Sequence, residues 1–490
     1  MHGWWERRRE RVRASPRFTQ IVLGVALFGL FTTNFNVSVL AVVIPRLVTD
    51  FDTTKSVISW VVTGPLLAFA VLGPTAGKLG DLYGRRKVYL VGLAGVAVFA
   101  GLTAVAQTSL QLIVFRTIAA TFGSSTGPSG MAIIAEQFPR ERRVQALGYW
   151  GLVLAGGPVL GMVIGGPIAD AFGWRWLFIP QIPLAVIGLV LAALVLPETR
   201  ADRRVRFDVV GSALLALAVG SLLLAVNRGP VWGWNDPRII GMFALSLLAA
   251  FGFVQVERRV PNPMIPLEYF RRRNFAAPMV GQFLVNFAYQ GGFVLVPLML
   301  AEVYGYTSTR ISLVTMARPL FYGLAGPFAG SMAVRFGERR AAVSGAVLVV
   351  ASCVMLATVH ASRVDLMIFI SLALAGAGLG SMVPAMTATV TMAVEDHDLG
   401  IAGATSQMVL QVGTVLGMQV QQTIQVSREQ FGLQSSYDAA FLVGAAVALV
   451  GVFVCSLVRS TPRPVPVRAR GASTTAGPAP AVAVVPGEAG

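Results

Sequence analysis

Residues 77–87 read Gly-Lys-Leu-Gly-Asp-Leu-Tyr-Gly-Arg-Arg-Lys, and residues 330–340 read Gly-Ser-Met-Ala-Val-Arg-Phe-Gly-Glu-Arg-Arg. The second stretch repeats the first at an offset of 253. Two more pairs fall in nearly the same register. Residues 157–162 (GPVLGM) match 413–418 (GTVLGM) at 256, and Pro128 after FGSSTG matches Pro384 after GAGLGSMV, again at 256. Chance likeness between glycine-rich segments explains one match but not a shared register, so the chain carries an internal duplication.

Long apolar runs flank each copy. Of the 490 residues 55% are hydrophobic and 13% charged, with a mean hydropathy of +0.69. A soluble domain carries about 25% charged residues, so this chain lacks the polar groups to cover a water-facing surface. Its solvent is lipid. The net charge of +16 would suggest nucleic acid if it were clustered on one face. Instead it sits in short groups between apolar runs, which excludes that partner. Runs of about 20 residues suited to crossing a bilayer fall near 18–44, 57–77, 88–106, 110–134, 146–169, 175–196, 208–226, 238–256, 275–300, 309–333, 341–360, 365–394, 401–424 and 438–458. With the N-terminus inside, 29 of the 39 Lys and Arg lie in inner segments and 8 in outer ones, and Arg116 and Arg318 fall within spans. The positive-inside rule then puts both termini in the cytoplasm.

An offset near 255 covers eight of these runs, so two extra helices, 208–256, lie between two copies of six. The expectation is an all-α integral membrane protein with 14 transmembrane helices in a 6+2+6 order and two pseudo-symmetric six-helix halves. It divides into a basic tail 1–17, a first half 18–196, an insertion with flanking loops 197–273, a second half 274–458 and a disordered cytoplasmic tail 459–490. Two such halves packed face to face enclose a cavity at mid-membrane, the arrangement that supports alternating access.

Polar residues on apolar helices mark the lining of such a cavity. In the ninth run Gln282, Asn286, Tyr289 and Gln290 share one helical face. Gln407 and Gln411 do so in the thirteenth, with Asn34 and Asn36 in the first. Some of these are expected to serve as bonds between helices instead. Arg116 and Arg318 are costly in a bilayer and are functional candidates for that reason. Both are cations, so the cavity is expected to favour neutral or anionic amphiphiles such as a lipid, a fatty acid or an antibiotic-like metabolite.

These residues resemble the major facilitator superfamily, specifically its fourteen-helix drug:proton antiporter family (EmrB/QacA-like), along residues 18–458. Gly77, Asp81, Gly84, Arg85, Arg86 and Lys87 look like the family's gating-loop motif, with Leu82 in place of the usual basic residue. Asp81 is suited to a contact that differs between two states; its counterpart in the second copy is Val334. Arg116 is similar to the family's intramembrane arginine, followed here by Ala119-Ala120 where Gln-Gly is common. Gly157, Pro158, Gly161 and Gly165, with Gly156 and Gly166, resemble the antiporter motif that marks exporters. The stretch from Trp174 to Phe178 looks like the pattern that follows the fifth helix.

The resemblance implies the major facilitator fold and secondary export from the bacterial inner membrane by a monomer, with no cofactor, no metal and no enzymatic activity. The partners implied are a small amphiphilic substrate, membrane lipids and a proton. At the position where relatives often place aspartate stands Asn36. None of the 23 acidic residues lies mid-span, nor does any of the three histidines. A coupling proton would therefore have to bind near helix ends, at Asp81, Glu136, Asp170 or Glu302. Without coupling, the alternatives are a facilitator, a lipid-type carrier or a non-transporting receptor or scaffold. ATP drive is excluded because the nearest P-loop lookalike, residues 73–79, is one residue short and lacks Ser/Thr. Cys353 and Cys455 read as small hydrophobes.

Overall fold

The computed structural model describes residues 15–35, 37–138, 140–198, 209–260, 267–359, 364–395 and 399–459. The expected tail from 460 onward, residues 1–14 and Asn36 lie outside them. The described residues are helical, with no strand among them. Pieces that run on across one or two residues join into about fourteen rods. Among the described residues eight helices are long and apolar enough to cross a membrane, so this is a multi-pass membrane protein.

In the first segment, α1 (Phe18–Asn34) and α2 (Val37–Asp50) form one rod. A short α3 (Lys55–Ile58), capped by the Thr54 hydroxyl, leads into α4 (Trp60–Tyr83). There follow α5 (Arg85–Ala104), a rod made of α6 (Ser109–Gly123) and α7 (Thr126–Gln137), the long α8 (Arg140–Phe172) and α9 (Gln181–Val195). Next, α10 (Val209–Trp232) and α11 (Pro237–Glu257) pack on each other, the Ser246 hydroxyl donating to Ala218 O at 2.8 Å. The last segment has α12 (Arg273–Glu302), a rod made of α13 (Ser308–Thr315) and α14 (Ala317–Phe336), then α15 (Glu338–Leu356), α16 (Val364–Met392), α17 (Leu399–Arg428) and α18 (Leu433–Ser456).

The duplicated motif is mostly helix rather than loop. Its residues 77–83 complete α4, and residues 330–336 complete α14. Only the glycine breaks the chain: Gly84 has φ +104° and Gly337, 253 residues on, φ +91°. A side chain is strained in that conformation. The two copies thus share a backbone device as well as letters.

Apolar packing joins the first and last segments near the end that holds Lys55, Asp170 and Glu302. Val43, Ile44 and Leu47 of α2 belong to one buried cluster with Leu295, Leu298 and Met299 of α12 and Ile311 of α13. Between helices in lipid, close van der Waals contact rather than water release supplies such cohesion. Glycine allows it here. A Cβ on Gly165 would lie 2.5 Å from Val39 Cγ2, and one on Gly166 would lie 2.5 Å from Ser312 Oγ of α13.

Candidate functional site

At the end that joins the segments, Lys55 Nζ lies 2.8 Å from Glu302 Oε2 and 3.1 Å from Glu429 Oε1. The Tyr437 hydroxyl donates to the same Glu302 oxygen at 2.6 Å. One cation of the first segment is therefore held by two anions of the last. Gln422 Nε2 donates to Lys55 O at 3.0 Å, and Gln419 Nε2 to Thr63 Oγ1 at 3.0 Å. A second link is made by Asp170 at the end of α8. Its carboxylate accepts from the backbone N–H groups of Ser308 and Thr309, at 3.1 and 2.7 Å, and from the Thr309 hydroxyl at 2.6 Å. Asp170 thereby caps α13 across the segment boundary, where an anion meets free N–H groups and the positive end of a helix dipole. Burial would raise the Asp170 pKa, but the bonds from Thr309 and Ser308 outweigh it and hold the carboxyl below its ordinary value.

Deeper in, Arg116 of α6 is buried, its guanidinium carbon 5.5 Å from the centre of the Phe178 ring. The neighbouring motif explains that ring's position. Gly173 turns the chain at φ +90°, Trp174 is buried against Phe51 and Phe178, and Arg175 stacks on Trp174 while donating to Ala106 O at 3.1 Å. Arg116 lines a cavity of about 30 Å³ with Thr33, Pro65, Val96 and Gln181. Gln181, fully buried, also donates to Thr32 O at 3.0 Å.

Arg318 of α14 is equally buried. Its Nη2 donates to Tyr289 O at 2.6 Å and to Gln290 Oε1 at 2.8 Å, and its guanidinium lies 3.7 Å from the Tyr289 ring centre. So Tyr289, Gln290 and Arg318, predicted separately, meet. Gln282 and Asn286, on the same helix, do something else. Gln282 Oε1 accepts from Ser406, and Asn286 donates to Leu410 O and Thr414 Oγ1, both at 2.6 Å. They tie α12 to α17. Gln411 is half-buried and Gln407 exposed. Asn34 bonds locally to Leu30 O.

In the duplicated motif Arg85 pairs with Glu136 of α7 at 2.9 Å, Arg86 donates to Ala193 O of α9 at 2.6 Å, and Lys87 is exposed. The side chain of Asp81 lies outside the described residues, as does the surface of Gly77. In the exporter-like stretch Gly157 meets Phe31 of α1 at ordinary contact distance, Gly161 is buried and Pro158 half-buried, while Gly165 and its neighbour Gly166 make the close approaches.

Sequence reading missed Lys55, Glu429, Tyr437 and the row Gln419, Gln421, Gln422 and Gln425. Signals were present. Lys55 is one of few cations on the cation-poor side, and four glutamines within seven residues are unusual for a helix in lipid.

A profile of the Major Facilitator Superfamily matches residues 26–306 and 278–486. The chain is 30% identical over 421 residues to the tetracenomycin C resistance and export protein of Streptomyces glaucescens, covering 85% of this chain and 77% of that one. It is 28% identical over 392 residues to the methylenomycin A resistance protein of Streptomyces coelicolor, covering 80% and 82%. With the multidrug transporter protein MdtP of Bacillus subtilis it shares 25% identity over 401 residues, covering 82% and 74%. Among solved structures, the peptide transporter POT with bound sulfate superposes with a TM-score of 0.66 at 15% identity over 89% of this chain and 95% of that one. The nucleoside transporter NupG gives 0.64 at 11% identity over 91% and 100%.

Proposed function

The chain belongs to the Major Facilitator Superfamily, and from that premise we propose that it is a secondary carrier exporting drug-like amphiphiles by alternating access. It is a transporter and not an enzyme. In this reading fourteen helices cross the inner membrane of a bacterium in the 6+2+6 order, both termini are cytoplasmic, and the monomer suffices.

The observation that carries the reading is the seam seen at one end among the described residues. The Lys55–Glu302–Glu429 cluster and the Asp170 cap join first and last segments at one end. On the proposed topology that end is external. A carrier sealed outside and holding buried polar groups at mid-depth is poised to take substrate from the cytoplasm. The seam must part for release, since a carrier works by exchanging which end is joined. Arg85 with Glu136, and Arg86 with Ala193 O, brace the cytoplasmic ends within the first half.

Tetracenomycin C and methylenomycin A, in the names of two relatives, are natural first probes. In proteoliposomes with an imposed pH gradient and no ATP, at least one amphiphile of such a panel is expected to move, and Arg116→Ala to abolish the movement. Absence of movement for the whole panel, or movement only when ATP is supplied, would overturn the proposal. Loss of movement on collapsing the gradient assigns antiport; persistence assigns facilitated diffusion.

A further inference from the structure

Two small cavities lie inside the bundle, one in each copy of the repeat, and they are the same cavity. Val96 lines the first and Val349 the second, at the offset of 253; Thr33 and Tyr289, and Ala119 and Ala375, correspond at 256. What differs is the source of the cation. Arg116 enters from α6, and its counterpart on the second wall is Leu372. Arg318 enters from α14, which matches α4 at 253, so its counterpart on the first wall is Pro65. Different helices have each placed one guanidinium in equivalent positions.

The second cavity shows what such a group is for. Arg318 is 4% exposed, forms no ion pair among the described residues, and bonds through Nη2 to two neutral oxygens. A buried cation without an anion is costly. Ser352, 1% exposed, lines the same cavity, and its hydroxyl makes no hydrogen bond among the described residues. A helical serine ordinarily donates back to its own backbone, so a free buried hydroxyl lining the same cavity as the guanidinium is a second polar group without an occupant. The other walls are apolar, among them Ala288, Leu356 and Leu372. The space, about 10 Å³, holds one water-sized group.

Resting on the export reading, we propose that Arg318 and Ser352 form an anion subsite that takes one oxygen of an amphiphile's carboxylate or phenolate group. The substrates it selects are organic anions with an apolar body. A guanidinium gives a charge-assisted bond and the hydroxyl a second donor, while the walls exclude competing water.

The test measures binding without transport. The full chain in phosphatidylcholine nanodiscs is melted with octanoate, octanol or octylammonium, and apparent Kd follows from the concentration dependence of Tm. Octanoate is expected to stabilise the chain, and octanol and octylammonium are not. Arg318→Gln is expected to weaken octanoate roughly tenfold or more. Ser352→Ala, which keeps the fold's charges and shape, is expected to weaken it about threefold. Equal stabilisation by octanol, or unchanged octanoate affinity in Ser352→Ala and Arg318→Gln, overturns the proposal. So does a shift produced by phosphatidylglycerol nanodiscs alone with nothing added by octanoate, which would assign the site to a lipid headgroup. Failure here leaves export standing, whereas intact octanoate binding with no transport of any amphiphile sinks only the export reading.

Discussion

Replacing Lys55 with alanine is expected to part the joined end of the bundle by a predictable amount. Lys55 bridges two carboxylates across the segment boundary, with side-chain exposures of 16% for Lys55, 22% for Glu302 and 42% for Glu429. Fully exposed pairs contribute at most about 1 kcal/mol, and breaking fully buried ones costs about 3–5. This half-screened cluster belongs between, at about 1–2 kcal/mol. Since about 1.4 kcal/mol is a factor of ten, Lys55→Ala should raise the parted fraction roughly five- to thirtyfold. A reporter is available in Val314, which is 6% exposed within the apolar layer that joins the segments. With Cys353 and Cys455 changed to serine, Val314→Cys is the sole thiol, and its maleimide labelling tracks the parted population when closing outruns labelling. The same rise is expected from Glu302→Gln, with little further gain in the double variant because both act on one contact. Labelling of Lys55→Ala within twofold of the parent, at unchanged Tm, would refute the reasoning.

Three other outcomes follow from the same geometry. Gly166→Val pushes a Cβ against Ser312 Oγ at 2.5 Å and Ser308 O at 2.9 Å; it should abolish transport and raise Val314→Cys labelling while the protein still inserts. Gly84→Ala combines φ +104° with a Cβ pressed against Glu198 Oε1, costing about 1–3 kcal/mol, and should lower Tm, whereas Lys87→Ala, at an exposed site, should not. The Asp170 cap is held by a carboxyl whose pKa lies below the ordinary aspartate value. Its contribution is complete above that value and is lost only as pH falls through the lowered pKa. Asp170→Asn should therefore raise Val314→Cys labelling equally at pH 8 and pH 6, and a cap effect that titrates between those values would contradict the assignment.

Helix content was legible because hydropathy is local, and the turns at Gly84 and Gly337 were foreshadowed by the duplicated letters around them. The motif's helical character was not, since Lys, Asp and Tyr suggest a loop until the α4 and α14 hydrogen bonds are seen to continue. Residues on α12 show the limit of periodicity. Gln282, Asn286, Tyr289 and Gln290 share one face, yet the first two bond to α17 while the last two meet Arg318. One stripe along a thirty-residue helix touches different neighbours at different depths, and a sequence pattern carries no depth-resolved partner list.

By itself the sequence determined the solvent, the repeat and the presence of two cations within apolar spans, because each depends on residues close along the chain or on a fixed offset. Only the tertiary structure decided that Lys55 meets Glu302, 247 positions away, that Asp170 caps α13, and that Arg116 and Arg318 occupy equivalent cavities from different helices. Those contacts arise where rods from opposite ends of the chain are brought side by side. The energy that selects them, a shared charge or a free N–H to satisfy, exists only once both partners have left water together.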